Sequence, residues 1–265
     1  MEQAIGIYDS GVGGLSVFRE LSRLLPNHNF LYYADTAHMP YGERSHQEII
    51  TFSKEIIDFL AQEGAAMIVV ACNTSSAIAL PVLGPESQLP LVGMIKPAVE
   101  AVGSVSSLGL MATQATVSSG AYAKELALRW PGRTIHSVAC PSLVPLVENG
   151  IFSGSQAHSA LTEYATPLLA LGVECIILGC THYPFLRGEL EEIASGRALI
   201  LDPAREVAKR AALQAQELAV PKGEGTVRYY TSGAPEAFSL LVAKLLGEFS
   251  APVTRVDLGG NYEGA

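Results

Sequence analysis

Charged residues are scarce in this chain. Of its 265 residues, 16% are Asp, Glu, Lys or Arg, against about a quarter in an average soluble protein, whereas 49% are hydrophobic. A chain this apolar can bury a core, which excludes intrinsic disorder. Positive charge is the scarcer sign, since 17 Lys and Arg stand against 26 Asp and Glu for a formal net charge of −9. Without a basic excess to neutralise phosphates, we expect no nucleic-acid partner.

Long uninterrupted apolar runs and a basic N-terminal region are also missing. The windows 64–85 and 101–123 contain no charged residue, but Asn, Thr, Ser, Gly or Pro interrupts each of them. Neither offers the roughly 20 continuous apolar residues that a bilayer span needs. No Lys or Arg precedes Arg19, so no secretory signal peptide is predicted. We therefore expect a soluble, cytoplasmic protein with no membrane partner.

Short apolar runs alternate with segments of helical periodicity, which predicts an α/β fold with parallel sheets. The main predicted strands are 4–9, 30–35, 66–71, 106–112, 175–179 and 227–232. Ser45 and Glu48 have the spacing of a capping box, so a helix is predicted to start there and to end near Gly64.

The second half of the chain resembles the first. At an offset of 108, Leu60, Gly64, Ile68 and Cys72 fall on Leu168, Gly172, Ile176 and Cys180. A second offset of 103 places residues 5–7 on residues 108–110. We predict two similar α/β domains with parallel-rich sheets, related by pseudo-symmetry, with the active site in the cleft between them. The first spans 1–100 and is completed by 206–265, and the second spans 101–205.

Four cysteines are too few for a disulfide scaffold in a chain of this length, but two of them follow buried strands. Cys72 lies in ACNTSS (71–76) and Cys180 in GCTHYP (179–184). Ligands bind at this carboxyl edge of parallel strands, and a helix N-terminus there is expected to lower the pKa of a thiol. The two thiols could be core residues, a disulfide switch, or a metal site together with His182 and Asp9. They could also be two acid/bases on opposite faces of one carbon, which would invert a stereocentre.

A glycine-rich turn, residues 9–14 (DSGVGG), follows the first strand. Such a turn can hold a carboxylate or phosphate, and Asp35 lies where a dinucleotide-binding fold places its acidic residue. Ser16 at the third glycine position disfavours a nicotinamide cofactor, and the Lys-Pro context of Lys96 disfavours a pyridoxal phosphate Schiff base. Asp9 could instead relay a proton beside a thiol, and the loop 36–44 could hold substrate.

Together these residues resemble those of the glutamate racemase family. The matching segments, in chain order, are IGIYDSGVGGLSV (5–17), YADTAHMPYGERS (33–45), ACNTSSA (71–77), ATQATVSSGAY (112–122), PSLVPLVENG (141–150), GCTHYPFL (179–186) and TSGAPEAF (231–238). The resemblance implies interconversion of L- and D-glutamate, which supplies D-glutamate for peptidoglycan and so serves cell-wall biogenesis and cell shape. It also implies that no metal or other cofactor is needed, and that the protein is a homodimer.

The resemblance assigns roles by position. Cys72 would act on the D isomer and Cys180 on the L isomer as the two catalytic acid/bases. Asp9 would assist Cys72, while Glu148 and His182 would assist Cys180. The substrate's ammonium and carboxylate groups would be held by a set of mostly small polar residues: Asp9, Ser10, Tyr41, Gly42, Asn73, Thr74, Thr116, Thr181 and His182.

Three other functions remain open at this point. An aspartate racemase or related racemase of the same superfamily would share both cysteines. A hydrolase would depend on Cys180 with His182, leaving Cys72 without a role. A non-catalytic anion-binding protein would close two lobes on its ligand without proton exchange.

Overall fold

The computed structural model describes residues 3–247 and 252–258. In chain order the described residues form β1 (Ala4–Asp9), α1 (Leu15–Leu24), β2 (Phe30–Ala34), α2 (His46–Gln62), β3 (Ala65–Val70), α3 (Asn73–Ile78), α4 (Leu80–Leu83), β4 (Leu91–Gly93), α5 (Ile95–Glu100), β5 (Ser107–Ala112), α6 (Gln114–Ser119), α7 (Ala121–Arg129), β6 (Thr134–Ala139), α8 (Leu143–Glu148), α9 (Ser155–Ala170), β7 (Cys175–Gly179), α10 (Arg187–Ala194), β8 (Leu199–Leu201), α11 (Ala204–Glu217), β9 (Val227–Thr231), α12 (Pro235–Leu246) and β10 (Val253–Arg255). Short 3₁₀ helices cover Tyr41–Glu43 and Tyr183–Leu186. Among the helices so described, none is long and apolar enough to cross a membrane.

The strands form two sheets, and every strand pair in them is parallel. The first sheet has the order β10-β9-β2-β1-β3-β4 and the second the order β6-β5-β7-β8. The predicted α/β class with parallel sheets is therefore confirmed. Strands β9 and β10, which come after residue 205, belong to the first sheet. The boundaries of the two domains stay a prediction.

Local sequence signals explain where several elements begin and end. The Ser45 hydroxyl accepts the N–H of Glu48, and the Glu48 carboxylate accepts the N–H of Ser45 at 2.9 Å, so the predicted capping box starts α2. Helix α3 begins at Asn73, because Cys72 occupies the extended N-cap position shortly after β3.

The internal repeat extends to the pairing of individual residues. Gly6 of β1 lies opposite Ile68 of β3, and Gly109 of β5 lies opposite Ile176 of β7. A Cβ atom at Gly6 would lie 3.1 Å from Ile68 Cγ1, and one at Gly109 would lie 3.3 Å from Ile176 Cγ1. In each half, a glycine in a central strand therefore leaves space for the isoleucine at the corresponding position of the neighbouring strand. This correspondence supports the predicted pseudo-symmetry.

These two glycines generate a prediction about stability. Gly6→Val and Gly109→Val should each lower the free energy of unfolding by about 1–3 kcal/mol, since the added carbons have no space in a packed core. The comparison variant is Gly188→Ala in α10, where nothing lies within 4 Å of the added Cβ. It should be neutral or slightly stabilising, because Ala is the better helix former. Urea denaturation of the three variants measures this, and a neutral Gly6→Val would contradict the packing argument.

Candidate active site

The carboxyl ends of the two sheets border one cavity of about 50 Å³. Cys72 follows β3 and Cys180 follows β7, and both buried side chains line this cavity. Seven of the residues predicted to hold substrate line it with them: Ser10, Tyr41, Gly42, Asn73, Thr74, Thr181 and His182. The other predicted residues, Asp9, Thr116 and Glu148, lie behind the lining and contact its side chains.

Cys72 is a buried thiol with few polar neighbours. Its Sγ atom donates to Ser10 Oγ at 3.9 Å. Burial raises the pKa of the Cys72 thiol to about 12, with a further contribution from the negative charge of Asp9, while the Ser75 N–H opposes both effects. The predicted lowering of this pKa is therefore wrong for Cys72. The loss of hydration of the thiolate outweighs the field at the start of a helix of only six residues.

Asp9 lies beneath the glycine-rich turn and joins the two halves of the site. Its Oδ2 atom accepts the N–H groups of Gly11 at 3.2 Å and Gly14 at 3.0 Å. Its Oδ1 atom accepts the Thr181 hydroxyl at 3.3 Å. Burial raises the pKa of the Asp9 carboxyl, and the nearby His182 and these N–H donors act against the rise. Asp9 therefore holds the glycine-rich turn and the cavity-lining Thr181 in place through hydrogen bonds.

The glycine-rich turn binds the protein's own carboxylates. Besides the two N–H groups bound to Asp9, the N–H of Val12 donates to Glu148 Oε1 at 3.3 Å. A Cβ atom at Gly11 would lie 2.6 Å from the same Glu148 oxygen, and one at Gly13 would lie 2.6 Å from His182 Nδ1. The idea that this turn cradles a ligand phosphate is therefore not supported, because its donors face Asp9 and Glu148.

Cys180 has a charged partner that Cys72 lacks. Its Sγ atom lies 3.6 Å from His182 Nδ1, and His182 Nε2 lies 2.5 Å from Glu148 Oε1. Burial lowers the pKa of the His182 imidazole, but the hydrogen bonds to Cys180 and Glu148 outweigh burial and hold the pKa well above its usual value. The protonated imidazole places a positive charge beside the Cys180 sulfur. The two thiols therefore have different electrostatic surroundings.

A cluster of three threonine hydroxyls closes one wall of the cavity. Thr74 Oγ1 lies 2.9 Å from Thr113 Oγ1 and 3.3 Å from Thr116 Oγ1. Thr113 lines the cavity but was not among the predicted site residues. The internal repeat could have identified Thr113, because the offset of 103 residues aligns it with Ser10, a predicted site residue.

The loop 36–44 covers the cavity and is held by Asp35. The buried Asp35 carboxylate accepts the Tyr41 hydroxyl at 2.5 Å and the Ser232 hydroxyl at 2.7 Å, and it contacts His38 Nδ1 at 2.8 Å. Because the Tyr41 hydroxyl is bound to Asp35, Tyr41 can offer a ligand its ring and backbone. A Cβ atom at Gly42 would lie 3.0 Å from Thr113 Cβ, which accounts for glycine at this position.

The thiols are separate and no metal cluster accompanies them in the described part of the chain. All four cysteines are free. Across residues 3–247 and 252–258, no group of three or more His, Cys, Asp or Glu side chains is arranged to hold a metal ion.

Known proteins resemble this chain over most of its length. A family model described as Asp/Glu/Hydantoin racemase matches residues 7–211. The chain belongs to this racemase family. A glutamate racemase of Thermus thermophilus is 43% identical over 96% of this chain and 96% of its own length.

Solved racemase structures share the fold over nearly the whole chain. A glutamate racemase isoform from Bacillus anthracis has a TM-score of 0.91 at 32% identity, covering 97% of this racemase and 98% of that chain. The glutamate racemase of Francisella tularensis, solved in complex with D-glutamate, has a TM-score of 0.91 at 29% identity with the same coverage. An aspartate racemase homologue from Pyrococcus horikoshii has a TM-score of 0.55 at 18% identity, which shows a similar fold alone.

The contact between His182 and Glu148 generates a prediction about pH. A raised folded-state pKa stabilises the protein below the unfolded value of about 6.5, and this contribution is lost as the pH rises through the folded value. Glu148→Gln should lower the pKa of His182 and reduce the free energy of unfolding at pH 6 by about 2 kcal/mol. The loss should shrink towards pH 9, as measured by urea denaturation at both pH values.

Glu191→Gln provides the control for this experiment. Glu191 pairs with Arg187 at 2.7 Å on the surface of α10, so its removal should have little effect at either pH. An equal loss for Glu148→Gln at pH 6 and pH 9 would contradict a protonated His182.

Proposed function

We propose that the protein racemises glutamate by proton transfer between two thiols on opposite faces of the α-carbon. The observation behind this proposal is the pair of buried thiols, placed at equivalent strand ends of two sheets and bordering one cavity. Membership of the racemase family and the glutamate racemases among its relatives support glutamate as the substrate.

The different surroundings of the thiols suggest their resting states. With a pKa of about 12, Cys72 rests as a thiol that can donate a proton. We assign proton acceptance to Cys180, because its Sγ atom lies beside the positively charged His182. In the direction from L- to D-glutamate, Cys180 therefore takes the α-proton from one face and Cys72 delivers a proton to the other. After the product leaves, Cys180 gives a proton to solvent and Cys72 takes one from solvent, which restores the starting state.

The α-proton of an amino acid is a weak acid, so the site must stabilise the carbanion formed when it leaves. The candidate donors to the substrate carboxylates are the Asn73 amide, the Thr74 hydroxyl and backbone N–H groups at Tyr41 and Gly42, all of which border the cavity. Asp9 assists indirectly, because its negative charge helps Cys72 to keep its proton until the carbanion forms. No step of this scheme requires a metal or another cofactor.

The proposal extends to the role in the cell. We expect the product D-glutamate to enter peptidoglycan synthesis, with the enzyme acting in the cytoplasm as a homodimer. The four free cysteines are consistent with a reducing compartment. For the dimer the support is the family resemblance alone.

The other candidate functions differ in what they require of the site. A hydrolase would depend on Cys180 and His182 but not on Cys72, and an anion-binding protein would need neither thiol. An aspartate racemase would use both thiols with a shorter substrate. The position of both thiols at the border of one cavity favours a racemase, and the higher identity to glutamate racemases favours glutamate.

The first test follows proton exchange directly. Incubation with L-glutamate in D₂O, without added cofactor, should abolish optical rotation and introduce deuterium at the α-carbon. Mass spectrometry and polarimetry of the same sample measure both changes. Folded, reduced protein that leaves rotation and α-proton unchanged would contradict glutamate racemisation, and repetition with L-aspartate would then test the nearest alternative.

The second test removes one thiol at a time. Cys72→Ala and Cys180→Ala should each lower the racemisation rate by about a thousandfold or more, since each removes one acid/base of the reaction. The control is Cys175→Ala, because Cys175 is an equally buried thiol within β7 that does not border the cavity. It should keep its turnover. Activity that depends on Cys180 alone would favour the hydrolase.

A further inference from the structure

Asn73 borders the cavity, and the NH₂ group of its amide has no partner among the described residues. The residue is buried and borders the cavity at the start of α3. Its Oδ1 atom accepts a hydrogen bond from the Tyr122 hydroxyl at 2.7 Å. Its Nδ2 atom is buried and has no hydrogen-bond partner within the described residues. A buried NH₂ group left unpaired is unfavourable unless a ligand accepts its hydrogens.

Tyr122 is a permanent donor in this contact. The residue is buried on α7, and burial raises the pKa of its hydroxyl, so the hydroxyl keeps its proton. Within the described structure this hydroxyl is bonded to Asn73 Oδ1. If the amide were flipped, the Tyr122 proton would point at an NH₂ group that cannot accept it. The hydroxyl thus selects one of the two amide orientations.

We propose that Tyr122 is a positioning residue that holds the Asn73 amide with its NH₂ group towards the substrate's carboxylate. The inference deepens the proposed function and rests on it. A flipped amide would present an oxygen to the anionic substrate, which would weaken binding. A carboxylate next to a forming carbanion gains negative charge, so a fixed donor there stabilises the transition state.

The contact also connects the two halves of the fold. Asn73 follows β3 of the first sheet, whereas Tyr122 follows β5 of the second. The hydroxyls of Thr74, Thr113 and Thr116 form a second contact between the two halves, beginning at the residue after Asn73. The amide is therefore oriented for substrate only while the two halves are held in this arrangement, which links closure of the cavity to recognition of the carboxylate.

The principal experiment is Tyr122→Phe with steady-state kinetics in both directions. We expect kcat/KM for glutamate to fall about tenfold, with KM rising more than kcat falls, since the amide can then turn. The matched control is Tyr33→Phe, because Tyr33 is an equally buried tyrosine whose hydroxyl donates to Val256 O at 2.8 Å, away from the cavity. It should change kcat/KM by less than about twofold. Equal effects of the two substitutions would overturn the proposal.

Substitutions at Asn73 test whether Tyr122 acts through the amide. In an Asn73→Ala background, Tyr122→Phe should have no further effect on kcat/KM, because no amide remains to be oriented. Asn73→Asp keeps an acceptor for the Tyr122 hydroxyl but places a charged oxygen against the carboxylate, so it should be less active than Asn73→Ala. Additive losses in the double variant, or an Asp variant more active than Ala, would refute the proposed orientation.

A readout without turnover separates this inference from the proposed function. The side-chain amide signals of Asn73 can be assigned in ¹⁵N NMR spectra by their absence in Asn73→Ala. In the wild type they should form one sharp pair, and in Tyr122→Phe they should broaden or double. Unchanged signals would overturn the role of Tyr122. A wild-type protein without racemase activity but with the expected spectra would refute only the proposed function.

Discussion

Two carboxylates beside the cavity, the buried Asp9 and the partly buried Glu148, constrain the rest of the site. Removing a carboxylate from water is costly unless donors replace its hydration, so the fully buried Asp9 needs hydrogen bonds at short range, and the partly buried Glu148 also accepts them. The glycine-rich turn supplies three of these donors, and His182 supplies a fourth with a positive charge. The turn can do this only because Gly11 and Gly13 have no Cβ atom in the way. Both thiols contact residues of this network: Cys72 contacts Ser10 of the turn, and Cys180 contacts His182.

The repeat gives both halves the same framework but not the same chemistry. The offsets that align Cys72 with Cys180 also align Thr74 with His182. In one half the residue two places after the thiol is a neutral hydroxyl, and in the other it is an imidazole held by a carboxylate. A pair of equivalent thiols would have the same proton affinity. Different partners at aligned positions give the two thiols different electrostatic surroundings.

Much of the framework was predictable because it depends on local patterns. Strand periodicity, the capping box at Ser45 and the repeat of a strand followed by cysteine are visible in the chain itself, and they led to the sheets and to both thiols. The pKa of the Cys72 thiol could not be predicted from local sequence patterns in this way. The high pKa of Cys72 depends on burial by residues distant in sequence, and the helix N-terminus beside it was a weaker effect than the sequence pattern suggested.

Contacts between the two halves of the fold could not be predicted from local sequence patterns either. Glu148 entered the prediction only through the family resemblance, because nothing near it in the chain indicates that it reaches His182 and Val12. Tyr122 ends one of the segments that resemble the family, but the sequence indicates no role for it, since its hydroxyl contacts Asn73 only in the folded protein. Thr113 could have been found from the repeat, which aligns it with Ser10.

The placement of β9 beside β2 has a consequence for the order in which the chain can fold during synthesis. Phe30 pairs with Val227, so nearly two hundred residues must be made before the first sheet can gain that neighbour. All four strands of the second sheet lie between Ser107 and Leu201, so that sheet can be complete while β2 still has a free edge. An unpaired parallel strand invites association with other chains. The nascent protein therefore keeps an edge open to aggregation until β9 has been made and has paired with β2.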